Sequence, residues 1–415
     1  MRMKTTNNTM TEMLRSGAFR VSPEGGRIDS IGLINCSAGV EVVIKKLYSH
    51  QYIADSPVRA DFPGIGRRVF FHMIGQKITN TVRKFYFRKL ISTAQSSKIK
   101  VYLMRYDKVT VIAPATLSNI GAGFDIFGLA LGEPYDIIEA QRTVRKGVLI
   151  TSISGSDSKH ITPDPMRNSA GIAAMEVLKA GRADFGIELV IRKGIRPGSG
   201  IGSSGASAAG GAFAANLLLE KPLPAEKLVI CAARAEEVTS GGFHADNVAP
   251  AILGGFTIIT SYDPFEVERV DPPADLGIAI AMPEVFISTR EARKVIPEKV
   301  ELKKLVYHVG HASGLVLGMV KGDIGLIGRN VRDSVIEPSR AHLIPYLREV
   351  ESAAQEAGAC AAFLSGSGPS IAAMFDVQKV NGGSIANAMK KVYETNGIRC
   401  DTWVTRPGSG CRRIE

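Results

Sequence analysis

The feature that most restricts the fold of this chain is a glycine- and serine-rich loop at residues 196–207, which reads Arg-Pro-Gly-Ser-Gly-Ile-Gly-Ser-Ser-Gly-Ala-Ser. Glycines let a backbone turn sharply and approach a ligand closely, and serines add hydroxyl groups. An alternating strand pattern at 187–191 precedes the loop, and a run of small residues that predicts a helix follows it. Because a helix N-terminus presents unpaired N–H groups and a partial positive charge, this order predicts a phosphate site.

Three other interpretations of the loop compete with that one. Gly200, Gly202 and Gly205 satisfy the G-x-G-x-x-G pattern of dinucleotide-binding folds, but the acid that should end a second strand is Glu220, which ends a helical run. A Walker P-loop is excluded because no lysine follows the last glycine. The small residues could also serve only to pack a helix tightly.

The net charge of +11 raises a different alternative, a nucleic-acid-binding protein. Residues 1–103 contain 17 of the 51 basic and 6 of the 40 acidic residues, which leaves 34 of each sign in residues 104–415. The whole excess therefore lies in this basic extension, and we expect no nucleic-acid partner for residues 104–415.

The basic extension itself shows no sustained helical or strand periodicity. Its segment 77–100 contains no acidic residue and could form a basic helix at 82–91 or part of a transit peptide. The abrupt change of composition favours a third interpretation, in which Met104 is the natural start. We expect residues 1–103 to be disordered or not native.

The rest of the composition indicates a cytoplasmic protein without a metal–thiolate site. The five cysteines show no C-x-x-C spacing and no disulfide framework, which suits a reducing compartment. No apolar run approaches the length of a membrane span.

Residues 104–415 carry alternating strand and helix patterns throughout, which predicts an α+β fold. The Pro-, Asp- and Glu-rich segment 262–276 is interpreted as a crossing between domains. The expected domains are the basic extension at 1–103, an ATP-binding domain at 104–262 and a C-terminal domain at 263–415.

Three motifs in this part resemble those of the GHMP kinases, a family that includes galactokinase and mevalonate kinase. Residues 197–207 resemble the family's phosphate-binding motif, residues 114–125 its N-terminal substrate motif and residues 365–370 its C-terminal glycine-rich motif. The resemblance covers residues 105–415. It implies an N-terminal domain like ribosomal protein S5 domain 2, a ferredoxin-like C-terminal domain, ATP and Mg²⁺ as cofactors, and a homodimer.

Within the family, residues 118–128, 244–255, 288–293 and 336–340 resemble the members that phosphorylate L-homoserine. This implies transfer of the ATP γ-phosphate to the hydroxyl of L-homoserine, giving O-phospho-L-homoserine on the pathway to threonine. Another small-molecule kinase of the family, of the shikimate or mevalonate type, stays open as an alternative. Leu117, where a small polar residue is common, is a reason to keep it open.

The resemblance also implies a set of site residues. ATP is expected at Pro197, Gly198, Ser199, Gly200, Ile201, Gly202, Ser203, Ser204 and Gly205, supported by Gly366, Ser367 and Gly368. Mg²⁺ is expected at Ser204 and Glu236, since it prefers hard oxygen ligands and keeps waters and substrate phosphates. The substrate is expected at Asn119, Asp125, His244, Thr289, Arg293 and Arg340, with Asp125 for its ammonium group and the two arginines for its carboxylate.

No catalytic base is evident. Some family members place an Asp seven residues before a Gly-Gly pair, and here that position is Asn247, which cannot accept a proton. We expect Asn119 or Asn247 to orient the hydroxyl, and we hypothesise that Asp246→Asn keeps most of its turnover.

Overall fold

The computed structural model describes residues 106–414, together with the backbone of five short strands nearer the N-terminus. It divides into one unit at 1–105 and a second at 106–415. In the first unit, β1 (Leu33–Cys36) pairs with β2 (Gly39–Val42), and β3 (Val58–Asp61) pairs with both β4 (Arg68–Phe71) and β5 (Lys100–Leu103), all antiparallel. These strands occur where periodicity predicted none. The predicted helix at 82–91 and the remaining expectations for the extension lie outside the described residues.

The second unit begins with a seven-stranded sheet. Its strands are β6 (Lys108–Ser118), β7 (Phe127–Thr143), β8 (Gly147–Gly155), β9 (Gly186–Lys193), β10 (Phe256–Tyr262), β11 (Phe265–Val270) and β16 (Arg412–Arg413). The main path runs β11-β10-β7-β6-β16, and β9 joins β7 antiparallel and β8 parallel. A mostly antiparallel sheet excludes the dinucleotide-binding fold, which needs parallel strands.

Four helices pack with this sheet. They are α1 (Ser169–Ala180), α2 (Ser203–Leu218), α3 (Ala225–Ser240) and α4 (Val248–Leu253). The small residues of α2 allow a close approach, since a Cβ on Gly210 would lie 2.6 Å from the Ile138 side chain and one on Gly211 would lie 2.3 Å from the Ala170 carbonyl oxygen. The small residues of α2 therefore do pack this helix tightly, and the same helix also follows the glycine- and serine-rich loop.

The second sheet contains β12 (Leu276–Pro283), β13 (Ala361–Leu364), β14 (Ile371–Asp376) and β15 (Cys400–Thr405), in the order β13-β14-β12-β15 and antiparallel throughout. Its helices are α5 (Thr289–Lys294), α6 (Leu302–Lys321), α7 (Ile324–Asn330), α8 (Ile336–Arg340), α9 (Leu347–Glu356) and α10 (Gly382–Thr395). Side chains of α9 and α10, including Val350 and Met389, form the core with this sheet. The strand order and the helices between strands give the ferredoxin-like arrangement that the resemblance implied.

The interpretation of 262–276 as a crossing between domains was wrong for most of its length. Residues 265–270 form β11, which pairs with β10 in the first sheet. The proposed boundary after residue 262 falls inside this hairpin. The acidic Glu266 and Glu268 are exposed on an edge strand, where charge protects against pairing with another chain, and this composition was mistaken for a connection.

Among the helices of the described residues, none combines the length and apolar character that crossing a membrane requires.

Candidate active site

The phosphate loop owes its shape to three glycines with left-handed backbone angles. Gly198, Gly200 and Gly202 have φ of +70°, +82° and +70°, a region that other residues rarely adopt. A Cβ on Gly202 would lie 2.0 Å from Thr116 Oγ1, so the position also lacks space for a side chain. Gly202 caps α2, whose first residue is Ser203. The loop thus leads its backbone into the N-terminus of a 16-residue helix.

The glycine-rich motif at 365–370 forms hydrogen bonds to the backbone of this loop. Ser365 Oγ donates to the Gly200 carbonyl oxygen at 2.8 Å, and Ser370 Oγ donates to the Ser199 carbonyl oxygen at 2.5 Å. A Cβ on Gly200 would lie 2.6 Å from the Gly368 carbonyl oxygen. The expected supporting motif therefore contacts the loop directly, with Gly366 and Gly368 buried in it and Ser367 half-buried.

A set of oxygen donors lies at the first turn of α2. Ser204 Oγ donates to Glu236 Oε1 at 2.6 Å and lies 2.7 Å from Ser169 Oγ. Glu236 is buried, whereas its neighbour Glu237 is exposed. One carboxylate with hydroxyl groups beside a phosphate loop fits Mg²⁺, which takes its remaining ligands from water and phosphate. Ser203, the neighbouring serine in this turn, donates its hydroxyl to the Ile195 carbonyl oxygen instead.

The substrate motif forms a tight turn that presents a carboxylate. Asn119 and Asp125 both have left-handed backbone angles, and Asn119 Oδ1 accepts a hydrogen bond from the Asp125 N–H at 2.8 Å. Arg293 donates to Asp125 through both terminal nitrogens, at 3.2 Å and 2.9 Å. The structure therefore makes Asn119 a support of Asp125. It also pairs two groups that were expected to bind opposite ends of a substrate.

Arg340 and His244 complete this charged cluster. Arg340 is only 2% exposed and donates to the carbonyl oxygens of Ala292 and Gly366, at 2.9 Å and 2.8 Å. Burial lowers the pKa of its guanidinium to about 10, and the neighbouring Arg293 adds to this effect. His244 Nδ1 lies 3.5 Å from Arg293 Nη2, and burial lowers its pKa below the usual value. The cluster gathers more basic than acidic groups.

Thr289 is exposed at the first residue of α5, one helical turn before Arg293. This spacing places the Thr289 and Arg293 side chains on the same face of the helix.

The Asn247 side chain is held at both ends. Its Oδ1 accepts from Thr116 Oγ1 at 2.8 Å, and its Nδ2 donates to Ser118 Oγ at 3.0 Å. Sequence inspection missed Thr116 and Ser118, because their hydrogen bonds to Asn247, which lies 131 and 129 residues further along the chain, follow only from the fold. The neighbouring Asp246 is buried, and burial together with the Asp125 charge raises its pKa to about 7.

Gly205, in the first turn of α2, has no space for a side chain. A Cβ at this position would lie 2.8 Å from the Cβ of Asn247. The glycine therefore lets α2 approach the residue that borders the phosphate loop.

Two family models match the segments that contain the phosphate loop and the glycine-rich motif at 365–370. The family model for the GHMP kinases N terminal domain matches residues 169–255, and the model for the GHMP kinases C terminal part matches residues 315–395. Homoserine kinases from Methanococcus maripaludis strain C5 and Pyrococcus abyssi are 41% and 39% identical over 73% and 74% of this chain, and 97% and 99% of their own lengths.

A solved structure agrees with these sequences. Homoserine kinase from Cytophaga hutchinsonii is 37% identical and superposes with a TM-score of 0.71, over 75% of this chain and 98% of that one. The fold, the phosphate loop with its supporting motif and the identity to full-length relatives lead to one conclusion: the chain belongs to the GHMP kinase family.

Proposed function

We propose that this enzyme transfers the γ-phosphate of ATP to the hydroxyl of L-homoserine, giving O-phospho-L-homoserine for threonine biosynthesis. The match to relatives that are named for this activity extends over nearly their whole lengths, at about 40% identity. The observation that carries the proposal is the bidentate pair of Asp125 and Arg293, which lies with Arg340 beside the motif that supports the phosphate loop.

This pair suits a zwitterionic substrate. The carboxylate of Asp125 can accept hydrogen bonds from an ammonium group, while Arg293 and Arg340 can hold a carboxylate. When an amino acid binds, each member of the Asp125–Arg293 pair exchanges one partner of opposite charge for another, so neither is left buried and unpaired. Neither shikimate nor mevalonate has an ammonium group for Asp125, so this contact favours homoserine.

The phosphate loop supplies positioning and charge stabilisation. The backbone N–H groups of residues 200–204 are expected to hold the β- and γ-phosphates at the N-terminus of α2. Ser204 and Glu236 would hold Mg²⁺, which neutralises charge on the phosphates when it is bound. Asn247, fixed by Thr116 and Ser118, would orient the substrate hydroxyl without accepting its proton.

The test of the substrate is an ADP-release assay with the full chain against L-homoserine, shikimate, mevalonate and L-threonine. We expect the highest kcat/KM with homoserine. A higher kcat/KM with any of the other three would contradict the proposal. Arg293→Met is expected to raise KM for homoserine while leaving KM for ATP unchanged, since Arg293 contacts the substrate motif and not the loop.

The metal site has a matched control in the adjacent residue. We expect Glu236→Gln to require a higher Mg²⁺ concentration for half-maximal activity and to lose turnover, because it removes the charged ligand. Glu237→Gln, in the next position of α3 but exposed, is expected to behave like the wild type. Equal Mg²⁺ dependence in both variants would contradict the assignment.

We further propose that the enzyme is cytoplasmic and forms a homodimer through α6. Along this helix five apolar residues and one serine recur at intervals of four and three residues: Leu302, Val306, Val309, Ser313, Val316 and Val320. Leu302, Val306, Val309 and Val320 are 74%, 66%, 57% and 63% exposed. An alternating three–four apolar stripe is the pattern by which a helix pairs with an identical copy.

The dimer is tested by sedimentation of two variants. Val306→Glu is expected to shift the protein to the monomer, because it places a charge in the stripe. Val238→Glu, on α3 and 62% exposed, is expected to leave the mass unchanged. A wild type that sediments as a monomer, or a Val306→Glu variant that stays dimeric, would contradict this surface.

A further inference from the structure

A buried ion pair lies directly beneath the first turn of α2. The side chain of Lys193, the last residue of β9, is 2% exposed, and that of Asp136 in β7 is fully buried. Lys193 Nζ donates to the Asp136 carboxylate, to the Ser203 carbonyl oxygen at 3.0 Å and to Ser207 Oγ at 2.8 Å. The pair therefore binds the start of the helix that follows the phosphate loop.

The same pair also holds the segment where the loop begins. Asp136 Oδ1 accepts hydrogen bonds from the N–H groups of Gly194 and Ile195, at 3.0 Å and 3.1 Å. Asp136 Oδ2 accepts from Ser207 Oγ at 3.0 Å. Both ends of the segment 194–203 are thus fixed to one pair of charges, and the three left-handed glycines lie between them.

Fold stability alone gives no reason to prefer this ion pair to uncharged residues of similar size. A buried ion pair loses its hydration, and replacing it by uncharged residues of similar size is often neutral or stabilising. A cation at a helix N-terminus is also unfavourable, because that end of the helix is already positive. An anion bound at the loop would reverse this second effect.

We propose that Lys193 and Asp136 are positioning residues for the nucleotide. They hold the two ends of the loop so that its N–H groups converge on the phosphates, without contacting the phosphates themselves. This inference rests on the proposed function, since it requires ATP at the loop.

The experiment compares three forms of the full chain: the wild type, Lys193→Met and the double variant Asp136→Asn/Lys193→Met. The single variant leaves a buried carboxylate unpaired, so we expect it to unfold at a lower temperature. In the double variant the Asn oxygen still accepts from Gly194 and Ile195 and no unpaired charge is left, so the unfolding temperature is expected to recover. Its KM for ATP is expected to stay about 10- to 100-fold above the wild type, by analogy with groups that orient metal ligands, with KM for homoserine unchanged.

A matched control comes from the next residue of β9. Arg192 pairs with Glu139 and so connects the same two strands, but adjacent residues of a strand point to opposite faces. Arg192→Met is expected to keep the wild-type KM for ATP. Calorimetric titration with ADP and Mg²⁺ is expected to reproduce the ranking of the variants without turnover.

The outcomes separate the two claims. A wild type that does not phosphorylate homoserine contradicts the proposed function, whereas an active wild type and a double variant with unchanged KM for ATP contradict this inference. If the double variant does not fold, Ser207→Ala serves instead, since it removes the hydroxyl that contacts both charges. It is expected to raise KM for ATP by less than the double variant, and an unchanged KM would overturn the inference.

Discussion

Substitution of Gly202 by alanine tests how the phosphate loop is built. The left-handed backbone costs a non-glycine residue about 1–2 kcal/mol. The added Cβ would lie 2.0 Å from Thr116 Oγ1, so Thr116 must move, at about 1–3 kcal/mol for overpacking. This movement also breaks the 2.8 Å hydrogen bond from Thr116 to Asn247, worth about 1 kcal/mol. The sum is roughly 3–6 kcal/mol.

Gly322→Ala is the matched control, because Gly322 ends α6 with φ of +69° and a Cβ there would meet no atom within 4 Å. It costs only the backbone conformation, about 1–2 kcal/mol. For a unit of about 310 residues, an unfolding entropy near 2.1 cal/mol/K per residue converts 1 kcal/mol to about 1.5 °C.

The assay is thermal unfolding of both variants, followed by KM for ATP. We expect Tm to fall by about 5–9 °C for Gly202→Ala and by about 2–3 °C for Gly322→Ala. Only the Gly202 variant is expected to lose affinity for ATP. Equal losses of Tm, or an unchanged KM for ATP in the Gly202 variant, would refute the argument that the collision with Thr116 shapes the loop.

Four further predictions concern the neighbouring groups. Asp246→Asn is expected to keep turnover within about tenfold, since no group at that position is asked to accept a proton, and a loss of several orders of magnitude in kcat with binding intact would contradict this. The pKa of Asp246 is raised to about 7, so its contribution to the free energy of unfolding is fully present below about pH 4 and is lost as the pH rises to about 7. In denaturant titrations over this pH range, we expect the free energy of unfolding to fall more steeply with pH in the wild type than in Asp246→Asn. Asp125→Asn is expected to raise KM for homoserine at least tenfold by removing the partner of both Arg293 and the substrate ammonium, and an unchanged KM would exclude that contact. Ser365→Ala, which removes the hydrogen bond to the Gly200 carbonyl oxygen, is expected to cost about 1 kcal/mol of stability and to raise KM for ATP, measured by urea unfolding and steady-state kinetics.

Local sequence pattern was sufficient to predict much of the fold. The helix at 169–180 begins after Asn168, whose side chain accepts from the N–H groups of Ala170 and Gly171, and such a cap is visible in sequence. The alternation at 187–191 predicted the strand that the structure shows at Gly186–Lys193. By contrast, only the part of β7 from Asp136 onward has a strand pattern, because Gly132 and Pro134 interrupt its first half.

The candidate site was predictable only as far as its motifs extend. The loop was identified from its glycines, its serines and the patterns that flank it, and the motif at 365–370 from its resemblance to the family motif. The hydrogen bond between Ser365 and Gly200, however, depends on how two sheets meet. Lys193 and Asp136 escaped notice for a different reason. Each is a single charged residue in a strand pattern, where a solvent-facing side chain is the usual outcome, and only the fold shows that they face each other beneath α2.

The short strand β16 has a consequence for how the protein forms. Its residues Arg412 and Arg413 pair with Ile112 and Val111 of β6, the first strand of the catalytic unit. During synthesis β6 leaves the ribosome early, whereas its partner on that edge is made near the end of the chain. Ten of the eleven residues of β6 are buried in the folded protein, so one edge of a largely apolar strand stays unpaired through most of translation. Removal of residues 411–415 would extend that exposure indefinitely and is therefore expected to promote aggregation during folding more than it weakens ATP binding.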